Sequence, residues 1–350
     1  MKIAQVAPLL ESVPPRLYGG TERVVSYLTE ELVQQGHDVT LFASGDSITS
    51  AKLKSVVNKA IRLNPSHLDP TAFHILMLEE LSRISNEFDI IHYHIDVIHF
   101  LMSRNLLTPH ITTMHGRLDL PDLKSIFRSF TDIPLVSISD NQRLPLPLVN
   151  WQATVYNGVP MENYKFQKHP GNYLAFLGRI SPEKGIEQAI NIAIASGMHL
   201  CIAAKIDAND EEYYNSIIKP HLTHPLIEFI GEINELEKDE FLGNAFAVLF
   251  PIQWPEPFGL VMIESMACGT PVIAFKKGSV PEIMIHGETG FIVNTIEQAV
   301  EAVEQIETIS RECCRYIFEK RFSSKEMANS YLEVYQQTIN KTLIQPSIAV

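Results

Sequence analysis

The chain has 350 residues, a fifth of them charged and nearly half apolar, with a formal net charge of −13. That length exceeds one ordinary hydrophobic core and predicts two domains. The acidic balance argues against a generic nucleic-acid binder, which needs cations to meet phosphates, and leaves room for a local basic site.

In chain order, short apolar runs alternate with longer amphipathic ones. KIAQVAP reads as a first strand. Thr21 to Gln35 carries Val24, Val25, Leu28 and Leu32 at the spacing of one helix face. Gly36 is placed to end that helix, and HDVTLFAS follows as a second strand. Further strands are predicted at FDIIHYHI, HITTMH, LVSIS and ATVYNGV. The polar stretch Tyr164 to Asn172 breaks the pattern and is the linker candidate. The alternation then restarts with YLAFLGRI, a helix from Gly185 to Ser196, and strands at MHLCIAAK, LIEFIGEI, AFAVLFPI, TPVIAF and TGFIV. Ser324 to Ile339 reads as a last helix that could pack on either domain. Strand–helix alternation favours parallel sheets with helices on both faces. The predicted fold is therefore α/β, with two doubly wound Rossmann-like domains facing a central cleft, where ligands meet the carboxyl ends of strands.

The four cysteines, Cys201, Cys268, Cys313 and Cys314, form no C-x-x-C pair and read as reduced cytosolic thiols. The opening MKIAQVAPLL lacks the length and cleavage pattern of a signal peptide, and no run of 18 apolar residues predicts a membrane span. The expected location is cytoplasmic. Peripheral membrane contact is left open, although no strongly basic amphipathic helix supports it.

The most informative stretch is WPEPFGLVMIESMACGTPVIA, Trp254 to Ala274. It places Glu256 and Glu264 among apolar residues, where an unpartnered carboxylate is expensive. With Glu256 in a loop and Glu264 inside the following helix, the two lie roughly 10–12 Å apart at 1.5 Å per residue. That separation suits an extended ligand with polar groups at both ends, such as a nucleotide sugar. Its diphosphate would meet the unpaired N–H groups of the helix start near Gly259 to Val261.

This stretch, followed by GSVPEIMIHGETGFIV, resembles the signature of the family 4 glycosyltransferases, retaining enzymes of the GT-B architecture. The resemblance extends over nearly the whole chain. FLGRISPEKG resembles the family's basic phosphate clamp and implies Arg179 and Lys184; Arg supplies a fork of donors and Lys a point charge. LYGGTERVVSYL resembles the glycine loop after the first strand and implies Gly19 and Gly20. TTMHG resembles the segment of the active-site histidine and implies His115, facing the transferred sugar. Glu256, with the backbone of Phe258 and Gly259, is assigned to the sugar hydroxyls and Glu264 to the ribose hydroxyls, since carboxylates accept from vicinal diols. Leu260 and Val261 complete the donor set. Trp254 and Phe258 are expected to wall the site. Asn157 and Glu282 are read mainly as structural.

The strand IIHYHID carries His92, His94 and Asp96 on one face by alternation. A metal site is conceivable from that spacing. The resemblance implies metal-independent transfer, so His94 and Asp96, with Arg117, are assigned to the acceptor side and no cofactor is expected. The expected domains are 1–165 for the acceptor, 166–325 for the donor, and 326–350 for a C-terminal helix, packing back on the first domain, and a tail. The expected activity is transfer of a hexose from a nucleoside diphosphate sugar, UDP-glucose first, to an unidentified acceptor hydroxyl. The alternatives are a nucleotide-sugar epimerase or hydrolase of the same architecture and a non-catalytic nucleotide-sugar-binding subunit. The oligomeric state has no signal in the sequence.

Overall fold

The computed structural model describes residues 1–17, 19–63 and 69–344. Tyr18, inside the glycine-loop motif, and the tail beyond 344 lie outside the described residues. The chain forms two compact units: Met1–Gly158 together with the segment from Ser324 onward, and Val159–Ser323.

In the first unit seven strands form one parallel sheet. They are β1 (Lys2–Val6), β2 (Asp38–Phe42), β3 (Lys52–Lys54), β4 (Ile90–Tyr93), β5 (His110–Met114), β6 (Leu135–Ser137) and β7 (Trp151–Thr154), in the order β3-β2-β1-β4-β5-β6-β7. Helices cover both faces, so the central strands are buried on both sides and read as continuous apolar runs. The helix Gly20–Gln34 buries Val24, Val25, Leu28 and Leu32 and stops before Gly36, which takes the left-handed φ of 86°. A helix the sequence reading did not name, Pro70–Arg83, starts where Asp69 accepts from Thr71 N–H and Pro70 fills its first position. It buries Met77, Leu78 and Leu81 against Ala4, Val6, Phe42 and Tyr93 of the sheet. On the other flank Phe127, from the helix Pro121–Ser129, packs with Phe100, Met114 and Leu135.

The C-terminal helix runs from Ser324 to Ile344, past its predicted end at Ile339. It lies beside the Gly20–Gln34 helix. Ser324 Oγ donates to Glu31, and Tyr331 and Tyr335 are fully buried against the sheet. Tyr331 OH bonds Thr113 on β5, and Tyr335 OH bonds Gln5 on β1 and His92 on β4.

The second unit has six parallel strands, β8 (Tyr173–Arg179), β9 (His199–Lys205), β10 (Ile227–Gly231), β11 (Ala247–Phe250), β12 (Val272–Phe275) and β13 (Gly290–Val293), in the order β10-β9-β8-β11-β12-β13. Val159 N–H donates to Phe322 O at 3.0 Å, so the chain enters and leaves this unit side by side. The stretch Tyr164–Asn172, read from sequence as a linker, packs within this unit. Tyr164 is buried with its hydroxyl on Glu235, and Arg315 donates to its carbonyl. Arg311 is buried too, because its guanidinium donates to the carbonyls of Gln167, Gly243 and Ala245 and to Thr270 Oγ1.

Counted from its own first strand, each sheet begins 3-2-1-4-5-6, with β7 added at the edge of the first. The order reverses between β1 and β4 in one unit and between β8 and β11 in the other. Such switch points are where open α/β sheets take ligands, at the strands' carboxyl ends. Among the described residues no helix is long and apolar enough to cross a membrane.

The C-terminal helix should count energetically as part of the first unit. Tyr335→Ala is expected to destabilise that unit by about 3–5 kcal/mol, the usual cost of emptying a buried aromatic site. The measurement is urea unfolding followed at Trp151, with Trp254 replaced by Phe.

Candidate active site

In the second unit the expected donor residues follow β8 and β11. β8 ends at Arg179, and the turn Pro182–Lys184 leads to Gly185 and the helix Ile186–Ser196. Gly185 has φ 75°, and a Cβ there would lie 2.0 Å from Pro251 O. Only glycine lets this turn press against the chain leaving β11. Gln253 N–H then donates to Glu183 O at 2.8 Å and joins the two loops.

That junction brings Lys184 to Glu256. Lys184 Nζ lies 2.6 Å from Glu256 Oε2, both side chains are largely buried, and the ammonium sits 5.5 Å from the Trp254 ring centroid. Glu256 is held from behind by Gly278, where a Cβ would fall 2.3 Å from Glu256 O, and by Ser279 N–H, which donates to that carbonyl. Ser279 Oγ donates to Phe258 O. Phe258, expected to wall the site, is only 2% exposed and packs edge-on against Phe322. Its ring is a support under the loop, because the P-E-P-F-G turn points it inward. Trp254 is the aromatic that accompanies a charged group here.

Gly259 caps the helix Leu260–Ala267 with φ 82° and no side-chain acceptor, and the first turn carries no acid. The N–H groups at Leu260 and Val261 therefore start a helix that offers them no side-chain cap. Four residues into this helix is Glu264, 2% exposed. Its Oε1 lies 2.8 Å from Lys238 Nζ, which is also 3.1 Å from Glu235 Oε2 one turn earlier on the helix Glu235–Gly243. The cost of burying Glu264 is thus met inside the unit, and removing Lys238 would leave the Glu264 carboxylate stranded. The sequence reading missed Lys238. Nothing local in ELEKDEFLG marks it as the partner of a residue 26 positions away.

Arg179 does not join the Lys184–Glu256 pair. Its guanidinium faces three carboxylates, Glu183 at 2.5 Å, Asp210 at 3.4 Å and Asp207 at 3.7 Å. This acidic collar was also missed, since Asp207 and Asp210 follow β9, the neighbouring strand.

In the first unit the glycine loop follows β1. A Cβ on Gly19 would strike Pro15, whereas one on Gly20 would meet open space. Beneath the loop Glu22 is buried, and desolvation raises its carboxyl pKa. His115 follows β5, half-buried, with Nε2 2.8 Å from His94 Nδ1. Burial pushes its ring down to about 4.

His94 was expected on the acceptor side. It is 2% exposed, and its other nitrogen is bonded to Gln5 Oε1. It backs His115 instead of facing outward. The alternation argument holds for His92 and His94, whose ring centroids lie 3.9 Å apart on one face, and fails for Asp96, because β4 ends at Tyr93 and Asp96 takes a left-handed φ of 49°. Both ring nitrogens of His92 are engaged, by Tyr335 and Thr113. Among the described residues no three His, Cys, Asp or Glu side chains are grouped to hold a metal. Asp96 itself is reached by solvent, although the protein around it raises its carboxyl pKa. Arg117 makes a bidentate pair with Asp119, at 2.7 and 2.8 Å. Asn157 is buried with its Oδ1 unpartnered among the described residues.

Comparison with known proteins adds to this geometry. Residues 162–321 match the family described as "Glycosyl transferases group 1", and residues 18–151 match "Glycosyltransferase Family 4". The chain is 25% identical over 338 residues to "Uncharacterized glycosyltransferase MJ1607" of Methanocaldococcus jannaschii, spanning 84% of this chain and 85% of that protein. Its fold is similar to that of AviGT4, a glycosyltransferase involved in avilamycin A biosynthesis, with a TM-score of 0.75, 23% identity, and coverage of 97% and 98% of the two chains. It is also similar to Anabaena Alr3699/HepE, solved in complex with UDP and glucose, with a TM-score of 0.72, 16% identity, and coverage of 96% and 100%. With both family matches falling on the two sheet units, the chain belongs to the family 4 glycosyltransferases and has their two-domain GT-B fold.

Proposed function

We propose that this glycosyltransferase moves a hexose from a nucleoside diphosphate sugar, with UDP-glucose the first donor to test, to an acceptor hydroxyl. In this reading the anomeric configuration is retained and no metal ion takes part. The observation that carries it is the Lys184–Glu256 pair at 2.6 Å, close in sequence to a helix that begins on an uncapped glycine. A cation, a carboxylate and uncapped amides together match the chemistry of a sugar diphosphate. The HepE structure, which holds UDP and glucose, supports the choice of base and sugar.

The leaving diphosphate carries the charge that must be stabilised. Lys184 supplies a near neighbour, and the N–H groups of Leu260 and Val261 supply an oriented dipole. Arg179 adds a second cation, and a phosphate oxygen would take the place of Glu183 on its Nη2. These fixed donors do the work that a divalent ion does elsewhere. Glu256, oriented by Lys184 through one oxygen, keeps its other oxygen for sugar hydroxyls. Glu264, oriented by Lys238, does the same for the ribose. Gly19 and Gly20 allow close backbone approach to a phosphate. Neutral His115 bonds a hydroxyl of the transferred sugar. Asp96 and Arg117 remain the acceptor-side candidates. No covalent nucleophile is assigned; in front-side attack the departing phosphate takes the acceptor's proton.

The test is incubation with UDP-glucose and a panel of hydroxylic acceptors in the presence of EDTA, with the product anomer read by NMR. An α-linked product at a rate insensitive to EDTA is expected. Free glucose released at a rate that no acceptor changes would instead mark a hydrolase. Lys184→Met should lower kcat by about 10²–10³-fold, the usual loss when one donor to a developing negative charge is removed. Glu256→Ala should abolish transfer in protein whose melting temperature is checked separately.

The pH profile tests His115. Its ring is held near 4 in the folded chain against 6.5 for an ordinary histidine. It is therefore neutral throughout the usual assay range, and kcat should show no histidine inflection between about pH 5 and 8. The unfolded chain binds the extra proton first, so His115 makes stability rise with pH between its two pKa values. An inflection near 6.5 that disappears in His115→Asn would contradict the assignment.

A further inference from the structure

Inside the first unit a continuous chain of hydrogen bonds joins His115 to the C-terminal helix. His115 Nε2 is 2.8 Å from His94 Nδ1, and His94 Nε2 is 2.8 Å from Gln5 Oε1. Gln5 Nε2 donates to Tyr335 OH at 2.9 Å. Tyr335 OH is 2.7 Å from His92 Nδ1, and His92 Nε2 is 2.7 Å from Thr113 Oγ1. Gln5, His92 and His94 are all buried.

Such a chain has a direction, because an amide oxygen only accepts and an amide nitrogen only donates. Gln5 turns its oxygen to His94, so His94 Nε2 must carry the proton. Burial holds the rings of His92 and His94 neutral. A neutral imidazole has one N–H, so His94 Nδ1 is an acceptor. The proton between the two rings then belongs to His115 Nε2. His115 Nδ1 is left with a bare lone pair, and it makes no hydrogen bond among the described residues. The same orientation sets the other half of the chain: Tyr335, having accepted from Gln5, donates to His92 Nδ1, and His92 Nε2–H donates to Thr113. Turning the Gln5 amide over would reverse every bond and make His115 Nδ1 a donor.

We propose that Gln5 is a positioning residue for transfer: acting through His94, its amide oxygen holds His115 as the Nε2–H tautomer, with Nδ1 kept as an acceptor for a substrate hydroxyl. This rests on the proposed role of His115 in transfer. Gln5 reaches no substrate itself; its effect passes through two rings. A carboxylate at position 5 would also accept from His94 Nε2–H, with the Tyr335 hydroxyl turned to donate to its other oxygen, and would preserve the tautomer in the His94–His115 half of the chain. A thioether would release it.

The experiment is two-bond ¹H–¹⁵N correlation on protein labelled at histidine, with the His115 signals assigned by their loss in His115→Asn. The wild-type spectrum alone is decisive at the first step, since an Nδ1–H pattern for His115 overturns the proposal without any variant. The expected spectrum is Nε2–H in the wild type and in Gln5→Glu, and mixed or Nδ1–H in Gln5→Met. Transfer assays on the same samples should show kcat down roughly tenfold in Gln5→Met, in proportion to the competent fraction. Donor KM should be unchanged, and Gln5→Glu should recover the rate. An unchanged tautomer in folded Gln5→Met overturns the proposal, and so does an altered tautomer with wild-type kcat. Full activity in His115→Asn is a separate result, which overturns the proposed role of His115 itself.

Discussion

A buried carboxylate must be answered by a cation or by donors, and the second unit has two to answer beside one short helix. Lys184 answers Glu256 at 2.6 Å and Lys238 answers Glu264 at 2.8 Å. Each lysine comes from a different connection, one after β8 and one from the helix after β10, so both loops are set by the same electrostatic demand. The turn at Gly185, the clamp of Gly278 and Ser279 on Glu256, and the burial of Phe258 all bring these pairs into register. Since one oxygen of each carboxylate is held by its lysine, each acid is already ordered by the fold.

Between its strands, away from the buried Glu22 of the glycine loop, the first unit uses neutral groups. Its sheet buries Gln5, His92, His94, Thr112 and Thr113, none of which carries a charge to offset. They satisfy one another and two tyrosines instead, which is why a polar row can run through the middle of a doubly wound core. The two units share a topology, and the polar row inside the first sheet is satisfied without the lysine–carboxylate pairs of the second unit.

Much of the strand pattern was legible, because strands covered on both faces leave unbroken apolar runs such as AFAVLFPI and TPVIAF. Helices whose buried face is narrow were harder. Pro121–Ser129 buries only Phe127, and its apolar residues are too few to stand out from GRLDLPDLKSIFRSF. The linker reading of Tyr164–Asn172 failed to weigh one aromatic: Tyr164 anchors a polar stretch through its ring and hydroxyl. In the candidate site, Glu256, Glu264, Arg179, Lys184 and His115 were marked by motif, whereas several of the residues that hold them were not. Lys238, Asp207, Asp210 and Gln5 act across sequence gaps that no local pattern encodes. Gln5 did leave a trace, as the one polar residue after Lys2 in KIAQVAP; a strand buried on both sides has no solvent face for it, so it had to have a partner.

The first unit is discontinuous in sequence, and this bears on how the protein is made. Gln5 and Tyr335 are separated by 330 positions, and the whole of the second unit is synthesised between them. As the nascent chain leaves the ribosome, the second unit has all its strands in hand while the first still lacks the helix that seals its sheet. The inserted unit can therefore close during translation. The unit bearing the N-terminus must hold an open, partly polar face until the helix Ser324–Ile344 has emerged, a long-range closure of the slow kind.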